Sequence, residues 1–557
     1  MDWYGYVILA FLVIIFFIIQ SVSARKRKNE NLEKQIKESW GKKNKREYTH
    51  NEYERIRKYF DAKCGQFSID DITWNDLGMD NVFMDMNNTM SSVGEENLYR
   101  ILRDITFDSK ELQKRDRIAD YFIKHNDEGI KIEKIFSKIG RSKSISLYEF
   151  IHRLGEVKCE NGIRHFIHPV LIIISLISFF ASPEIGIAAL ILSITVNVIA
   201  YYRYKGEIEN YFVCFKYLIS MVDGAGEIAE LNIAGIEEYN NDLKYIFDRL
   251  KPVFKCVGLL TTNSMGGSIG EIIMDYVRII THVDIIAFNS MVKNVKKNQE
   301  NIDLLYEKLG QVEAYYAIGS YRAFLRNNTG YYCKPEFTKT RELHGVSVYH
   351  PLINNPVANS VYTKKGVLLT GSNASGKSTF LKTIAINGIL AQSVYTCTAE
   401  KFLMNNCLIM SSMALKDNLE NNESYYIVEI KSLKRILDKK QQNVNILCFV
   451  DEVLRGTNTV ERIAASSEIL KSLDADNIIC FAATHDIELT HILENIYNNF
   501  HFREEVKDND IIFDYKLNEG RAVTRNAIKL LGIMGYENKI IQSAENLAIK
   551  FLETGNW

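Results

Sequence analysis

Residues 371–378 read Gly-Ser-Asn-Ala-Ser-Gly-Lys-Ser and match the pattern G-x-x-x-x-G-K-[ST]. The apolar residues 367–369 before this segment predict a strand, and residues 379–390 after it predict a helix. A glycine-rich loop in this setting binds phosphate, because successive backbone N–H groups and the helix N-terminus face the anion. A Gly- and Ser-rich turn without any ligand gives the same letters, but the flanking strand and helix favour a phosphate loop.

Individual residues of this segment have separate roles in binding ATP and Mg²⁺. We expect the Lys377 ammonium to reach the β- and γ-phosphates and the Ser378 hydroxyl to be a ligand of Mg²⁺. The predicted ATP-binding residues are Gly371, Ser372, Asn373, Ala374, Ser375, Gly376, Lys377, Ser378 and Thr379.

Two more apolar runs end in polar residues of the kind that phosphate hydrolysis needs. Residues 446–450 are followed by Asp451 and Glu452, and residues 481–483 are followed by a threonine and His485. Because a buried carboxylate needs a partner, an acid pair at the end of a strand predicts a site. We expect Asp451 to complete the Mg²⁺ shell and Glu452 to orient or deprotonate the attacking water. His485 is placed to sense the γ-phosphate, but a single histidine usually has no role, and this one is selected only because it follows a third strand.

Composition limits the kinds of protein that this chain can be. Its 557 residues are too many for one ordinary domain. A hydrophobic share of 46% and a charged share of 25% exclude a disordered chain and an ordinary polytopic membrane protein. The formal net charge of −1 gives no overall attraction to nucleic acid. The 9 cysteines include no C-x-x-C pair, which excludes a zinc ribbon or a dense disulfide scaffold and suits a reducing compartment.

Two apolar stretches predict membrane spans. Residues 4–22 are uncharged, and as a helix they are long enough to cross a hydrocarbon core of about 30 Å. Residues 166–202 are apolar and are broken near the middle by Ser-Pro-Glu at 182–184, which predicts a tight helical hairpin. The alternatives are a cleaved signal peptide for the first stretch, although its positive charges would then precede it, and a pair of buried core helices for the second.

Positive charges beside these stretches set the expected topology. The positive-inside rule places residues 25–28, Arg164 and residues 203–205 in the cytoplasm. We therefore expect an anchor at residues 1–23 and a hairpin at residues 165–203. The chain would be a multi-pass protein of the cell membrane, with about three spans and a cytoplasmic ATPase domain.

The predicted fold class is multidomain. Residues 331–557 alternate short β-rich runs with helices, which is typical of a mostly parallel sheet covered on both faces. Residues 24–164 and 204–330 show helical periodicity instead. The chain is therefore expected to combine a helical region and transmembrane helices with a C-terminal α/β P-loop ATPase domain.

Three segments occur in unbroken order in the C-terminal part, with His350 and Pro351 upstream of the loop. They are residues 417–429 (DNLENNESYYIVE), 451–459 (DEVLRGTNT) and 483–489 (ATHDIEL). They resemble the MutS family of DNA mismatch-repair ATPases, which has its signature segment, D-E-[IV]-G-R-G-T-S-T and A-T-H-x-x-E-L in these places. The resemblance implies an ATPase domain of the ABC type.

The resemblance also implies partners and two further site residues. Nucleotide sites of this family form across a dimer, so Ser424 of one chain would contact the γ-phosphate held by the loop of a second copy. His501 aligns with a family position that stacks on adenine. The alternative for His501 is a surface histidine at a strand end.

Weaker similarities extend into the helical part, and one departure limits them. Residues 88–98 and 113–118 are similar to segments of the family's core, which implies a core region at residues 24–164 and a lever region at residues 204–330. The F-x-E wedge of the family's mismatch-reading domain does not occur before residue 330. We therefore do not expect this chain to read mismatches.

These observations favour a membrane-anchored MutS-like ATPase that hydrolyses ATP to drive a conformational cycle on DNA. The alternative is a membrane ATPase that uses the same engine on a lipid or protein partner, with no DNA role. The basic residues 25–46 do not discriminate, since they can bind anionic lipid or phosphodiester. An ABC-type exporter is disfavoured, because the L-S-G-G-Q signature is missing and the expected spans contain no charged pathway residues.

Overall fold

The computed structural model divides the chain into two compact units. The first contains Met1–Cys64, Met86–Arg100 and Arg117–Ala323, and the second contains Gly65–Asp85, Ile101–Asp116 and Phe324–Trp557. The structure describes residues 3–44, 46–142, 145–156, 162–254, 269–372, 375–413, 425–442, 444–454, 457–507, 510–522, 528, 531 and 534–554.

Before residue 330 the described regular structure is mainly helical, as predicted. The α-helices there are α1 (Trp3–Ser39), α2 (His50–Lys63), α3 (Asp71–Leu77), α4 (Met79–Met86), α5 (Ser92–Arg103), α6 (Ser109–Lys124), α7 (Asn126–Ile139), α8 (Leu147–Glu156), α9 (Ile167–Ser178), α10 (Pro183–Leu231), α11 (Glu237–Phe254), α12 (Ile269–Thr281), α13 (Val283–Lys297) and α14 (Gln299–Thr329).

Local sequence explains how the first unit builds its helical core. Helix α2 begins with a capping box, in which Thr49 and Glu52 each bond to the backbone N–H of the other. The helix then buries Tyr59, whose ring packs at 4.8 Å from Tyr148 and 5.1 Å from Tyr306 between centroids. These tilted and edge-on aromatic contacts join α2, α8 and α14 around one apolar centre.

The apolar stretches of the first unit only partly match the predicted spans. Within the described residues, one helix, Pro183–Gly206, is long and apolar enough to cross a membrane, and Arg164–Ser178 is a shorter apolar helix. Three spanning helices are therefore not supported by the described part of the chain. The side chains of residues 4–10, which belong to the predicted anchor, lie outside the described part of the chain. Helix α10 also runs on to Leu231, beyond the end of its apolar segment at Gly206.

The second unit contains the α/β domain. Its strands are β1 (Glu336–Thr338), β2 (Leu343–Val348), β3 (Asn359–Thr363), β4 (Gly366–Thr370), β5 (Lys401–Asn405), β6 (Leu408–Ser412), β7 (Ile446–Asp451), β8 (Ile478–Ala483), β9 (Tyr497–Lys507) and β10 (Asp510–Glu519). Its helices after residue 330 are α15 (Lys377–Ser393), α16 (Tyr425–Lys440), α17 (Thr459–Ser472), α18 (Ile487–Ile492) and α19 (Asn538–Thr554).

The main sheet has the order β10-β9-β4-β8-β7-β6. Strands β9, β4, β8, β7 and β6 are parallel, and only β10 runs antiparallel at one end. Because β8 separates β4 from β7, the loop after β4 and the acids after β7 lie two strands apart at the same carboxyl edge. Strands β4 and β8 are fully buried, as expected for a sheet covered on both faces. The predicted parallel sheet is confirmed.

The second unit also includes two segments from the N-terminal part, residues 65–85 and 101–116. The sequence placed them in the helical region at residues 24–164, because helical periodicity does not show what a helix packs against. Hydrogen bonds from these segments to backbone carbonyls of α15 explain the difference. The Thr106 N–H donates to the Gln392 carbonyl at 2.9 Å, and Arg115 donates to the Ser393 carbonyl at 2.6 Å. These bonds satisfy carbonyls at the C-terminus of α15, which otherwise lack partners.

Candidate active site

A pocket of about 770 Å³ opens at the carboxyl edge of the main sheet. From the predicted phosphate loop it is lined by Ser372, Gly376, Lys377, Ser378 and Thr379, and from the end of β7 by Asp451 and Glu452. Its volume lies within the usual range for a small-molecule site. The structure therefore brings the two predicted halves of the site together.

The phosphate loop has the backbone conformation that its glycines allow. Gly371 has φ +146° and Gly376 has φ +105°, a region that residues with a Cβ rarely adopt. The Lys377 ammonium donates to the carbonyls of Gly371 at 2.8 Å and Ser372 at 2.7 Å. The cation therefore lies across the mouth of the loop. Asn373 and Ala374 lie outside the described residues.

The acid pair and the predicted histidine meet at the ends of β7 and β8. The Glu452 N–H donates to the Ala483 carbonyl at 2.9 Å, and Glu452 Oε1 lies 2.8 Å from His485 Nε2. Glu452 has φ +61°, which is uncommon for a residue other than glycine and recurs at active sites, where surrounding contacts hold it. The Glu452 carboxylate is thus held by an imidazole at the pocket wall.

An ion pair anchors the segment that carries His485. Asp486 accepts two hydrogen bonds from the Arg462 guanidinium, at 3.0 Å and 2.6 Å. This hydrogen bonding to Asp486 raises the pKa of Arg462 above its ordinary value, so the cation stays charged. Helix α17 therefore fixes the residue beside His485.

Two buried polar atoms show that the site suits a phosphate and a cation. Within the described part of the chain, neither Asp451 Oδ1 nor Ser375 Oγ has a hydrogen-bond partner. A buried acceptor or hydroxyl without a partner costs stability, and a bound cation or phosphate would supply the missing partner. Among the described residues no cluster of three or more His, Cys, Asp or Glu side chains could hold a metal by itself. Nucleotide-bound Mg²⁺ needs only one or two protein ligands besides phosphate and water, and Ser378 and Asp451 fit that requirement.

Besides Asn373 and Ala374, the predicted residues Ser424 and His501 have no described place in the site. Ser424 lies outside the described residues. His501 lies in β9, opposite Thr370, and is 6% exposed. Its Nδ1 is 3.1 Å from the Gly520 carbonyl, and its Nε2 accepts from Arg503 at 3.2 Å. His501 is not among the described residues that line the pocket.

The structure adds lining residues that sequence reasoning did not select. Phe502 and Tyr515 line the pocket, together with a loop at residues 353–357. Tyr515 has φ +54° within a register shift of β10, and its carbonyl accepts from the Asn359 side chain at 3.0 Å. Pairing irregularities of this kind leave no pattern in the sequence. The neighbouring His350 and Pro351 were the only signal for the loop.

The comparisons with known proteins agree with this geometry. Residues 367–552 match the family model of MutS domain V. The chain is 33% identical over 213 residues to MutS protein homolog 4 of Mus musculus, which covers 35% of this chain and 22% of the relative. It is 29% identical over 268 residues to the DNA mismatch repair protein MutS of Thermotoga sp. (strain RQ2), which covers 46% of this chain and 33% of the relative.

The extent of these matches limits what they show. The human MutS protein homolog 4 is 33% identical over 238 residues, or 39% of this chain and 25% of the relative. The chain thus spans a third or less of the length of these curated relatives. The similarity to MutS proteins therefore concerns the α/β domain, and it is consistent with the P-loop ATPase fold described above.

Proposed function

We propose that this chain is a MutS-like ATPase that binds ATP with Mg²⁺ and hydrolyses the γ-phosphate. The observation that carries the proposal is one pocket that Lys377, Asp451 and Glu452 line together. A phosphate-binding cation, a metal-binding carboxylate and a general base are the three groups that this reaction requires.

The chain's own residues divide the work of hydrolysis. Ser378 and Asp451 would hold Mg²⁺, which when bound neutralises charge on the phosphates. The Glu452 carboxylate accepts a proton from the attacking water, and His485 at 2.8 Å keeps that carboxylate in place. Lys377 leaves the Gly371 and Ser372 carbonyls and turns to the phosphates.

We propose further that the working form is a homodimer with shared sites, in which Ser424 acts on the partner's nucleotide. Lys377→Ala and Ser424→Arg chains should each be inactive alone, because each destroys one side of every site. Mixed in equal amounts they should regain about a quarter of wild-type activity, since half of the dimers are mixed and each has one intact site. Steady-state ATPase measurements on the mixture test this. Full activity of a strictly monomeric preparation would contradict it.

We propose duplex DNA as the substrate on which the ATPase cycle acts, bound through phosphates. Because no F-x-E wedge occurs before residue 330, we expect binding to be independent of sequence and to fall steeply with salt, with a slope of about −0.9 per phosphate neutralised. Perfect and mismatched duplexes should bind within about threefold of each other. Fluorescence anisotropy across a salt series measures both quantities. A preference above about thirtyfold for one mismatch would overturn the proposal, and no binding at low salt with intact ATPase activity would favour a lipid or protein partner.

The exposed apolar surface of α10 supports the proposal that this ATPase is a membrane protein. Ile185, Leu192 and Ile199 are 66%, 66% and 64% exposed, and they belong to the apolar segment Pro183–Gly206, which is long enough to cross a membrane. With the charge flanks, we propose that this helix spans the bilayer with Glu184 outside and Lys205 in the cytoplasm. Cysteine probes placed at both positions test the topology in intact cells. An impermeant reagent should label the probe at Glu184 only, and labelling at Lys205 would refute this orientation.

A further inference from the structure

Helix α3 covers the free edge of the main sheet. Strand β6 ends the sheet, so its outward N–H groups have no neighbouring strand and need other partners. The Ser411 N–H donates to Thr73 Oγ1 at 3.0 Å, and the Met413 N–H donates to Asp76 Oδ2 at 2.9 Å. Asp76 also accepts from the Ser411 hydroxyl at 2.7 Å. One turn of α3 thus takes the place of a seventh strand.

The same helix holds α16. Asp70 caps α3 by accepting from the Thr73 N–H at 2.8 Å, and it also accepts from the Arg435 guanidinium of α16. Arg435 donates a second bond to the Ser411 carbonyl at 2.5 Å. The α3 carboxylates therefore tie together the end of β6 and the body of α16. Asp76 is 4% exposed and Ser411 is fully buried, so water does not compete for these bonds.

Helix α16 in turn contacts the segment that carries the proposed general base. The Glu429 carboxylate of α16 accepts a hydrogen bond from the Leu454 N–H, two residues after Glu452. Both Glu452 and Leu454 have φ near +60°, a conformation that persists only when neighbouring contacts hold it. A shift of α16 would therefore move the backbone at Leu454 and, with it, the backbone that carries the Glu452 side chain.

We infer that Asp76 is a positioning residue for ATP hydrolysis, which acts through β6 and α16 on Glu452. The inference rests on the proposed ATPase function. Asp76 is not among the described residues that line the nucleotide pocket. The phosphate loop follows β4, which two strands separate from β6. Loss of the Asp76 contacts should therefore disturb the chemical step and leave nucleotide binding nearly unchanged.

Asp76→Asn tests the inference, because it keeps the size of the side chain but replaces the charged Oδ2, which accepts from both the Met413 N–H and the Ser411 hydroxyl, with a neutral amide oxygen that accepts more weakly. We expect kcat, normalised to active sites titrated with a tightly bound ATP analogue, to fall about tenfold, with KM for ATP within about threefold. Asp116→Asn is the matched control, since Asp116 lies in the same unit and pairs with Lys334 at 2.7 Å. The control should behave as wild type.

A double-mutant cycle separates positioning from a general loss of stability. In a Glu429→Ala background, adding Asp76→Asn should lower kcat by less than about threefold, because α16 has already lost its bond to the Leu454 N–H. Arg435→Lys is a second variant for the case that Asp76→Asn does not fold. It should also lower kcat with KM little changed, and the neighbouring Lys434→Ala should not.

Three outcomes would overturn the inference: an unchanged kcat per active site, a KM that rises by the factor expected for kcat, or effects of Asp76→Asn and Glu429→Ala that multiply independently. Failure of the proposed function looks different, since the wild-type chain itself would then not hydrolyse ATP. A wild-type ATPase with an indifferent Asp76→Asn variant refutes only the positioning role.

Discussion

Glu452→Gln should bind ATP as tightly as wild type and hydrolyse it at least about a hundredfold more slowly. The substitution keeps the shape of the side chain and removes the group that accepts a proton from water. Glu452 Oε1 lies 2.8 Å from His485 Nε2, and an amide oxygen can still accept from the imidazole there. The pocket should therefore keep its geometry while the chemical step loses its base.

Two measurements on matched variants check this expectation. Equilibrium binding of a fluorescent ATP analogue reports affinity, and single-turnover hydrolysis reports the chemical step. Glu468→Gln is the control, because Glu468 is exposed on α17 and pairs only at the surface with Lys471 at 2.7 Å. If Glu452→Gln turned over at the wild-type rate, the proton would have to go to another group, and the assignment of Glu452 would be wrong.

The sequence was informative about this site because the chemistry is local in the chain. The loop at residues 371–378 needs glycines at positive φ, and the acids need a buried strand before them, so both leave patterns. The strands predicted before the loop, before the acid pair and before His485 are confirmed as β4 (Gly366–Thr370), β7 (Ile446–Asp451) and β8 (Ile478–Ala483). The pairing of His485 with Glu452 also follows from parallel strands, since their carboxyl ends meet at one edge.

What the sequence could not show depends on contacts between distant segments. In the sequence Asp76 is one acidic residue of a short helical segment. The structure shows that its carboxylate accepts hydrogen bonds from Ser411 and Met413 at the edge of β6. Similarly, the sequence around residue 203 does not show whether the helix ends together with its apolar segment. In the structure α10 continues to Leu231. Secondary structure follows from neighbours in sequence, whereas edge contacts and helix length depend on tertiary packing.

Lys377→Ala should weaken ATP binding by more than about a hundredfold. Lys377 is 4% exposed, and its ammonium bonds to two carbonyls of the loop that ATP would enter. Replacing those carbonyls with phosphate oxygens exchanges neutral acceptors for charged ones, and charge-assisted hydrogen bonds are about twice as strong. Two such bonds, at about 1.5 kcal/mol or more each, correspond to about 3 kcal/mol of binding free energy. That is more than a hundredfold in Kd.

Titration calorimetry with a non-hydrolysable ATP analogue measures this loss directly. Lys377→Met is the companion variant, since it fills the buried space without the charge and separates packing from electrostatics. Lys382→Ala is the control, because Lys382 lies on the same helix α15 and is not among the described residues that line the pocket. Both Lys377 variants should lose affinity alike if the ammonium binds phosphate. A Kd within about threefold of wild type for Lys377→Met would mean that Lys377 only stabilises the loop through its carbonyls, and that the phosphates are held by the backbone N–H groups alone.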